Sequence, residues 1–261
     1  MLQAYDRQLR GEVETVGAHS TTRLGPLWLA VFDGMSGFVG YQHLAGLEGA
    51  ALDELIEQAV AHFRDATDVA EVEWKTRGHD APPDLPDHLI AHGFAPEEAE
   101  TVMVGEAAQL GVEVGLPDGV VVRRAGVGGD LADDVERAHQ LAERVFSRSS
   151  GRSTESQVED LRKSAHLASL WIAEAGDTVV SAGRLVIVEE TDFAGLWAGV
   201  THPDWRRRGI YRALTAARAH HAVESGVTYL QSDCTPMSRP ILERAGLEAV
   251  TTTTPYLWKR G

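Results

Sequence analysis

Apolar residues recur at intervals of three and four along two stretches of the chain, which is the spacing of an amphipathic helix. The first stretch covers residues 50–63, and its apolar positions are Leu52, Leu55, Ile56, Ala59, Val60 and Phe63. The second begins near Asp130, and its apolar positions are Leu131, Val135, Ala138, Leu141, Ala142 and Val145. The pattern therefore predicts one helix of this kind in each half of the chain.

Shorter apolar runs bounded by turn residues predict strands around these helices. In the first half they cover residues 26–32, 37–44, 69–75 and 101–104. In the second half they cover residues 120–123, 170–173, 179–188, 194–201, 228–232 and 256–259. The Asp33-Gly34 pair predicts a hairpin turn between the first two strands, and Gly176-Asp177 predicts another turn in the second half.

Two further helices complete the second half. A long helix is predicted from Gly209 to Glu224, because Gly226 can take the left-handed conformation that ends a helix. A short helix is predicted over residues 238–245. Strands that alternate with helices on a sheet of mixed direction indicate an α/β or α+β fold.

The segment Gly105–Gly119 is rich in glycine and lies between strand-like runs, so we interpret it as a connection between two units. We place the boundary near Leu116, which gives domains of residues 1–115 and 116–261.

The two halves echo one another in the order of three short segments. EVEWK (71–75), LIAHGF (89–94) and TVMV (101–104) are followed in the second half by VTYLQ (227–231), LERAGL (242–247) and PYLW (255–258). A duplicated fold explains this order. The alternative is a chance similarity between two α/β halves.

Composition narrows the class of partner. The net charge of −15 disfavours nucleic acid, because a duplex binder needs a cationic face, and it suits a small amine-bearing partner. The alternative is that the acidic surface only keeps the protein soluble. The single cysteine, Cys234, excludes an intramolecular disulfide, and the histidine spacings suggest no metal site. No apolar run is long enough to cross a membrane, and the start lacks a signal-peptide core, so we expect a cytoplasmic protein.

The segment AGVTHPDWRRRGIYRAL (198–214) carries the most chemical information. A strand ends at a proline, an arginine-rich turn with one glycine follows, and a helix begins at once. Main-chain N–H groups in such a turn and at the start of the helix converge on one point and favour an anion such as a pyrophosphate. The alternative is an ordinary strand-to-helix turn with solvated arginines.

These residues resemble motif A of the GNAT acetyltransferases, Q/R-x-x-G-x-G/A. Arg206 and Gly209 match the first and fourth positions, whereas Tyr211 stands where the family has Gly or Ala. The resemblance implies tandem GNAT-like domains, each a mixed, largely antiparallel sheet flanked by helices. It also implies a site for acetyl-CoA, in which pantetheine is held by Gly199, Val200 and Thr201 and the pyrophosphate by Arg206, Arg207, Arg208, Gly209, Ile210 and Tyr211. Ser238 and Cys234 would lie near the pantetheine and the leaving thiol.

The first half resembles the family only in its closing portion. Its segment AGLEGA (45–50) holds no arginine where the phosphate loop would be. We therefore expect a degenerate copy that shapes or covers the acceptor site. An unrelated N-terminal domain is the alternative.

The resemblance implies an N-acetyltransferase in which the amine of a small molecule attacks the thioester directly in a ternary complex. The family's usual carboxylate base falls at Gly195 and its usual tyrosine acid at Leu242, so both groups are missing. Glu190, Asp192 and Asp233 are the nearest substitutes for the base. Because of these gaps, a non-catalytic acyl-CoA sensor or interaction module is the rival hypothesis. Acyl transfer to a thiol precursor, as in members of the mycothiol-synthase type, or to a protein N-terminus stays open, as does a homodimer.

Overall fold

The computed structural model of the protein describes residues 1–32, 36–146 and 153–261. These residues form two compact units, each assembled from separate segments of the chain. The N-terminal unit consists of Met1–Val102, Asp233–Pro236 and Ala249–Gly261, and the C-terminal unit of Met103–Ser232 and Met237–Glu248. The domain boundary near Leu116 stays a prediction.

The first part of the chain, as far as the predicted connection, contains helices and strands in alternation. The helices are α1 (Leu2–Leu9), a short 3-10 helix (Glu12–Thr15), α2 (Gly49–Ala66) and α3 (Leu85–Ala91). The strands are β1 (Ser20–Leu24), β2 (Leu27–Phe32), β3 (Ser36–Gly40), β4 (Glu71–Arg77), β5 (Ala95–Pro96) and β6 (Glu100–Glu106).

The remainder of the chain has the same mixture. The helices are α4 (Ala107–Leu110), α5 (Leu131–Phe146), α6 (Thr154–Lys163), a 3-10 turn (Pro203–Trp205), α7 (Ile210–Glu224) and α8 (Arg239–Ala245). The strands are β7 (Val120–Arg124), β8 (Ala168–Ala175), β9 (Thr178–Ile187), β10 (Phe193–Thr201), β11 (Tyr229–Cys234) and β12 (Glu248–Lys259).

The sheet of the N-terminal unit has the order β1-β2-β3-β4-β12. Strands β3 and β4 are parallel, as a crossover through a helix requires, and α2 provides that crossover. Strand β12 pairs antiparallel with β4 from Thr253 to Lys259, so residues far along the chain complete this sheet. The core lies between the sheet and α2, where Leu52, Ile56 and Phe63 are buried.

The sheet of the C-terminal unit has the order β11-β10-β9-β8-β7. Strands β10 and β11 are parallel, with α7 between them in sequence, and the other pairs are antiparallel. Helix α5 buries Val135, Ala138 and Leu141. The two units thus repeat one topological order, a parallel pair of strands linked by a long helix. The three echoed segments also fall in corresponding elements, β4, α3 and β6 in the first half and β11, α8 and β12 in the second.

Most predicted elements are confirmed, and the α/β class with them. The predicted hairpin strands pair as β2 and β3, although β3 ends at Gly40, where the carbonyl oxygen of Gly11 leaves room for no side chain. The Asp33-Gly34 turn lies outside the described residues. The predicted connection contains the short helix α4. Helices α1 and α6 and strand β1 were not predicted, because α1 is only eight residues long and the sequences of α6 and β1 are mostly polar.

In the described portion of the chain, no helix has the length and apolar character needed to cross a membrane.

Candidate functional site

The turn between β10 and α7 has the geometry of an anion-binding loop. Arg207 and Gly209 both have left-handed backbone conformations, with φ of +62° and +80°. Helix α7 begins directly after Gly209, so its first N–H groups are available at the end of the loop. The side chains of Arg206, Arg207 and Arg208 are exposed. The loop therefore places the first main-chain N–H groups of α7 close to three guanidinium groups.

Local contacts hold this loop in place. Arg206 Nε donates a hydrogen bond to the carbonyl oxygen of Thr201 at 3.2 Å. The guanidinium of Arg208 lies 5.0 Å from the centroid of the Trp205 ring, which is the geometry of a cation–π contact. Trp205 in turn packs on an apolar cluster that includes Ile210. The loop is thus anchored to the strand before it and to the core of its own unit.

One side of the loop meets the predicted connection. A Cβ at Gly209 would lie 3.4 Å from the carbonyl oxygen of Gly115 and 3.6 Å from Val114 Cγ1. The positive φ already favours glycine at this position. The distances to the connection are ordinary van der Waals contacts, so the backbone conformation is the reason for glycine here.

Strand β10 is irregular just before the loop. Its pairing with β9 shifts register between Trp197 and Val200, and Ala198 there has φ of +52°. Pairing with β11 covers Phe193 to Gly195, whereas β10 continues to Thr201. Ala198 and Gly199 are exposed. This bulge is where the predicted pantetheine-binding residues begin.

The carbonyl groups of the other two predicted pantetheine residues already have partners. Ser181 Oγ donates to the carbonyl oxygen of Val200 at 2.7 Å, and Arg206 occupies that of Thr201. Main-chain groups at Ala198 and Gly199 are therefore the better candidates for contacting a ligand.

Tyr211, the residue that departs from motif A, packs against Gly199. A Cβ at Gly199 would lie 2.8 Å from both Cε2 and the hydroxyl oxygen of Tyr211. Behind the ring lies Arg218, which is fully buried and donates to the carbonyl oxygens of Leu214 and Arg184. Burial lowers the pKa of Arg218, and the electrostatic interaction with Tyr211 partly offsets this shift. The large residue at 211 is thus accommodated by glycine at 199.

The position of the missing carboxylate, Gly195, is filled by an indole ring. A Cβ at Gly195 would lie 2.6 Å from Cε2 of Trp197, closer than real carbon atoms approach without contact strain. Trp197 itself is 38% exposed. No carboxylate side chain fits at residue 195 while the indole keeps this position.

The structure places two of the three substitute carboxylates at the opposite end of β10. Glu190 and Asp192 are exposed in the turn that precedes the strand. The main-chain carbonyl of Asp192 accepts hydrogen bonds from Thr228 N and Tyr229 N. Because β10 has nine residues, about 30 Å separates this turn from the arginine loop. These two residues lie together but apart from the loop.

The third substitute, Asp233, lies in an ion pair within the N-terminal unit. Lys75 Nζ is 2.6 Å from Asp233 Oδ2, and the Asp233 side chain is only 4% exposed. Burial alone would lower the pKa of Lys75, but the Asp233 carboxylate raises it above its ordinary value. Burial also raises the pKa of Glu73, two residues earlier on β4. Sequence reasoning missed this pairing because 158 residues separate its partners.

The remaining predicted site residues lie at the end of β11 and at or within α8. Leu242, where a tyrosine was expected, is buried on α8. Cys234 is also buried, and Ser238 stands at the start of α8, where its carbonyl oxygen accepts from Ile241 N and Leu242 N. Among the described side chains, no group of three or more His, Cys, Asp or Glu could hold a metal ion.

A separate cavity of about 320 Å³ lies in the N-terminal unit, beside the segment that follows β3. Its lining includes Asp6, Arg10, Tyr41, His79 and Asp80. Arg10 comes from the end of α1, which sequence analysis did not identify. The N-terminal unit therefore brings a guanidinium to this end of its parallel strands from another part of the chain, where it pairs with Asp6 and Asp80.

Comparison with known proteins agrees with this geometry. Residues 132–244 match the family model described as the acetyltransferase (GNAT) family. No curated protein matches the chain.

Solved structures extend the similarity to the whole chain. A GCN5-related N-acetyltransferase from Kribbella flavida is 16% identical, with a TM-score of 0.72 over 100% of this chain and 95% of that one. Another, from Sphaerobacter thermophilus, is 18% identical, with a TM-score of 0.68 over 90% and 76%. A tandem GNAT protein from the clavulanic acid biosynthesis pathway is 17% identical, with a TM-score of 0.66 over 100% and 93%. At these identities the similarity establishes the fold, including its tandem form.

Proposed function

We propose that the protein is an acetyl-CoA-dependent N-acetyltransferase that acts on the amine of a small molecule, because residues 132–244 match the model of the GNAT acetyltransferase family. The loop from Arg206 to Gly209 at the start of α7 is the observation that carries the proposal. Its left-handed residues and exposed guanidinium groups suit a pyrophosphate. The bulge at Ala198 and Gly199 supports it, because main-chain groups there are exposed.

In this proposal acetyl-CoA supplies an activated thioester. The amine nitrogen bonds to the acyl carbon, the carbon–sulfur bond breaks, and coenzyme A leaves as the thiol after taking up the proton that nitrogen loses. Holding both reactants in line is worth several kcal/mol, on the order of 7 in favourable cases. Binding geometry therefore does much of the work, which suits a site with glycine at position 195.

Glu190, Asp192 and Asp233 remain the proposed bases, and their positions rank them for testing. Asp233 is buried and paired with Lys75, whereas Glu190 and Asp192 are exposed. Each would be replaced by its amide, and kcat/KM measured against pH. The base is the residue whose replacement removes the acidic limb of the profile.

The first test is binding of acetyl-CoA, measured by titration calorimetry. We expect Arg206→Ala to weaken binding, and Gly209→Asp to weaken it more, because the new carboxylate repels phosphate. Arg162→Ala is the matched control, since Arg162 is an exposed arginine on α6. Wild-type protein without measurable acetyl-CoA binding would refute the proposal.

The second test is acetyl transfer to a panel of amines, followed by release of free thiol. The rival function, an acyl-CoA sensor without catalysis, is favoured by the absence of a carboxylate at Gly195 and of a tyrosine at Leu242. Transfer that depends on Arg206 and Gly209 would exclude the sensor. Tight acetyl-CoA binding with no transfer to any amine would favour it.

A further inference from the structure

Trp197 is an exposed aromatic residue at a position where strand residues are usually covered. Its indole is 38% exposed, although it is one of the largest apolar side chains in the chain. It lies on β10 immediately before the bulge, and the next two residues, Ala198 and Gly199, are exposed as well. An exposed aromatic ring beside exposed main chain offers a ligand both an apolar surface and hydrogen-bonding groups.

The indole is held in one place by the strand that carries it. It folds back over Gly195, two residues earlier, where a Cβ would come within 3.0 Å of its Cζ2. The edge of the indole formed by Nε1, Cε2 and Cζ2 therefore lies over Gly195.

Strand pairing shows which side of the sheet Trp197 occupies. Trp197 pairs with Arg184 on β9, and after the bulge Val200 pairs with Ala182. Val200 and Ala182 pack in the cluster that includes Leu141 of α5. Residues directly opposite in an antiparallel pair share a face, and Arg184 and Ala182 are two residues apart on β9. Trp197 is therefore on the α5 side of the sheet, whereas Tyr211 and Arg218 belong to α7.

Because the indole lies over Gly195, no carboxylate can stand at residue 195 on this face of the sheet. An acceptor with several ammonium groups would need acidic partners here, and the indole occupies the space of any side chain at residue 195. The two exposed residues that follow the ring, Ala198 and Gly199, carry no charge, and the residue opposite Trp197 on β9 is the cation Arg184. A second ammonium group would therefore find no acidic partner among these residues.

We propose that Trp197 is a specificity-determining residue that contacts the acceptor and selects amines that carry a flat apolar group close to the nitrogen. This inference rests on the proposed N-acetyltransferase function. In it, the apolar group of the acceptor lies on the exposed indole, and the amine points along β10 toward the bulge.

The test compares two acceptors of similar basicity, 2-phenylethylamine and 1,4-diaminobutane, with wild-type protein and three variants. Trp197→Ala should lower kcat/KM for 2-phenylethylamine about tenfold, mainly through KM, because aromatic contact and apolar burial are both lost. It should change kcat/KM for the diamine less than about twofold. Trp197→Phe should restore most of the loss. Trp171→Phe is the matched control: Trp171 lies 5.7 Å from His221 of α7 and should leave the ratio of the two acceptors unchanged.

A binding measurement separates this inference from the proposed function. The indole N–H resonance of Trp197, assigned in ¹⁵N-labelled protein through the Trp197→Phe variant, should shift when 2-phenylethylamine is added. A shift without acetyl transfer would refute the function and keep the aryl-amine site. Transfer with equal losses for both amines in Trp197→Ala, or a wild-type preference for the diamine, would overturn the inference.

Discussion

The phenol ring of Tyr211 lies against the α-carbon of Gly199, so that a methyl group at residue 199 would be 2.8 Å from the ring and from its hydroxyl oxygen. Each residue therefore limits what the other can be. We expect Gly199→Ala to lower the free energy of unfolding by about 1–2 kcal/mol, because an overpacked site must displace the ring. The loss should shrink when Tyr211→Ala is made in the same chain.

Urea unfolding of the wild type, both single variants and the double variant measures this coupling. We expect a coupling energy of at least about 0.5 kcal/mol, which is the scale for residues in direct contact. Additive losses would show that Gly199 and Tyr211 do not constrain each other.

Arg207 combines an exposed positive charge with an unfavourable backbone conformation. A left-handed residue other than glycine costs about 1–2 kcal/mol, and glycine relieves this at a smaller entropic loss. Arg207→Gly should therefore leave the free energy of unfolding unchanged or raise it by up to about 1 kcal/mol. It should also weaken acetyl-CoA binding about three- to tenfold at low salt, because one guanidinium is lost.

Arg207→Lys is the control for this variant, since it keeps both the charge and the strained backbone. It should retain most of the affinity. A drop in stability of more than about 1 kcal/mol in Arg207→Gly would contradict the strain argument.

Asp134 is the centre of a buried ionic network that joins α5 to the sheet. Its side chain is fully buried, accepts two hydrogen bonds from Arg123 at 2.6 and 2.7 Å, and accepts a third from Gly126 N at 2.8 Å. Asp134→Ala would leave Arg123 and the Gly126 N–H without this partner. We expect a loss of about 3–5 kcal/mol in the free energy of unfolding.

The neighbouring Asp133 provides the comparison. Asp133 and Asp134 both pair with Arg137, but the Asp133 pair, at 2.9 Å, involves a side chain that is 64% exposed. Asp133→Ala should cost less than about 1 kcal/mol, as exposed pairs do. Equal losses at the two positions would mean that burial does not decide the contribution.

The same network predicts how stability depends on pH. Burial alone would raise the pKa of Asp134, but hydrogen bonds from Arg123 and Gly126 hold it below its ordinary value. The pKa of Glu174 is also below its ordinary value, because Arg123 and Arg137 outweigh the effect of burial. A carboxyl group with a depressed pKa stabilises the fold above its unfolded pKa, and this stabilisation is lost as pH falls through the folded value.

This network should therefore contribute a constant amount to the free energy of unfolding near neutral pH. At pH values under about 4 that contribution should decrease. Urea unfolding at a series of pH values measures it. Asp134→Asn should flatten the acidic decline, because one of the two titrating groups is gone. A decline of the same slope in the variant would place its cause elsewhere.

The fold was largely readable because its long elements carry their own periodic signal. Helix α2 and the β10-loop-α7 segment were predicted within a few residues, since apolar spacing and the turn at Gly209 are local properties. Helix α6 escaped prediction, because charged and polar residues fill it and only Val158 and Leu161 are buried. Such a helix exists through its tertiary contacts.

Only the parts of the site that depend on a short stretch of sequence could be predicted. The arginine loop was found from one short motif. The side chain that fills the space at Gly195 could not be found, because the sequence does not say that Trp197 folds back over it. The ion pair of Asp233 could not be predicted either, because its partner, Lys75, lies on a strand of the other half of the sequence.

The pairing of β12 with β4 has a consequence for synthesis in the cell. After Thr76 is made, the ribosome adds a further 177 residues before its partner Thr253 exists. At about 5–20 residues per second, that takes roughly 10 to 35 s. Throughout this interval one edge of β4 lacks its native partner and can pair with other strands. We therefore expect chaperone binding during translation to matter more for this chain than for one whose early strands pair with their immediate neighbours.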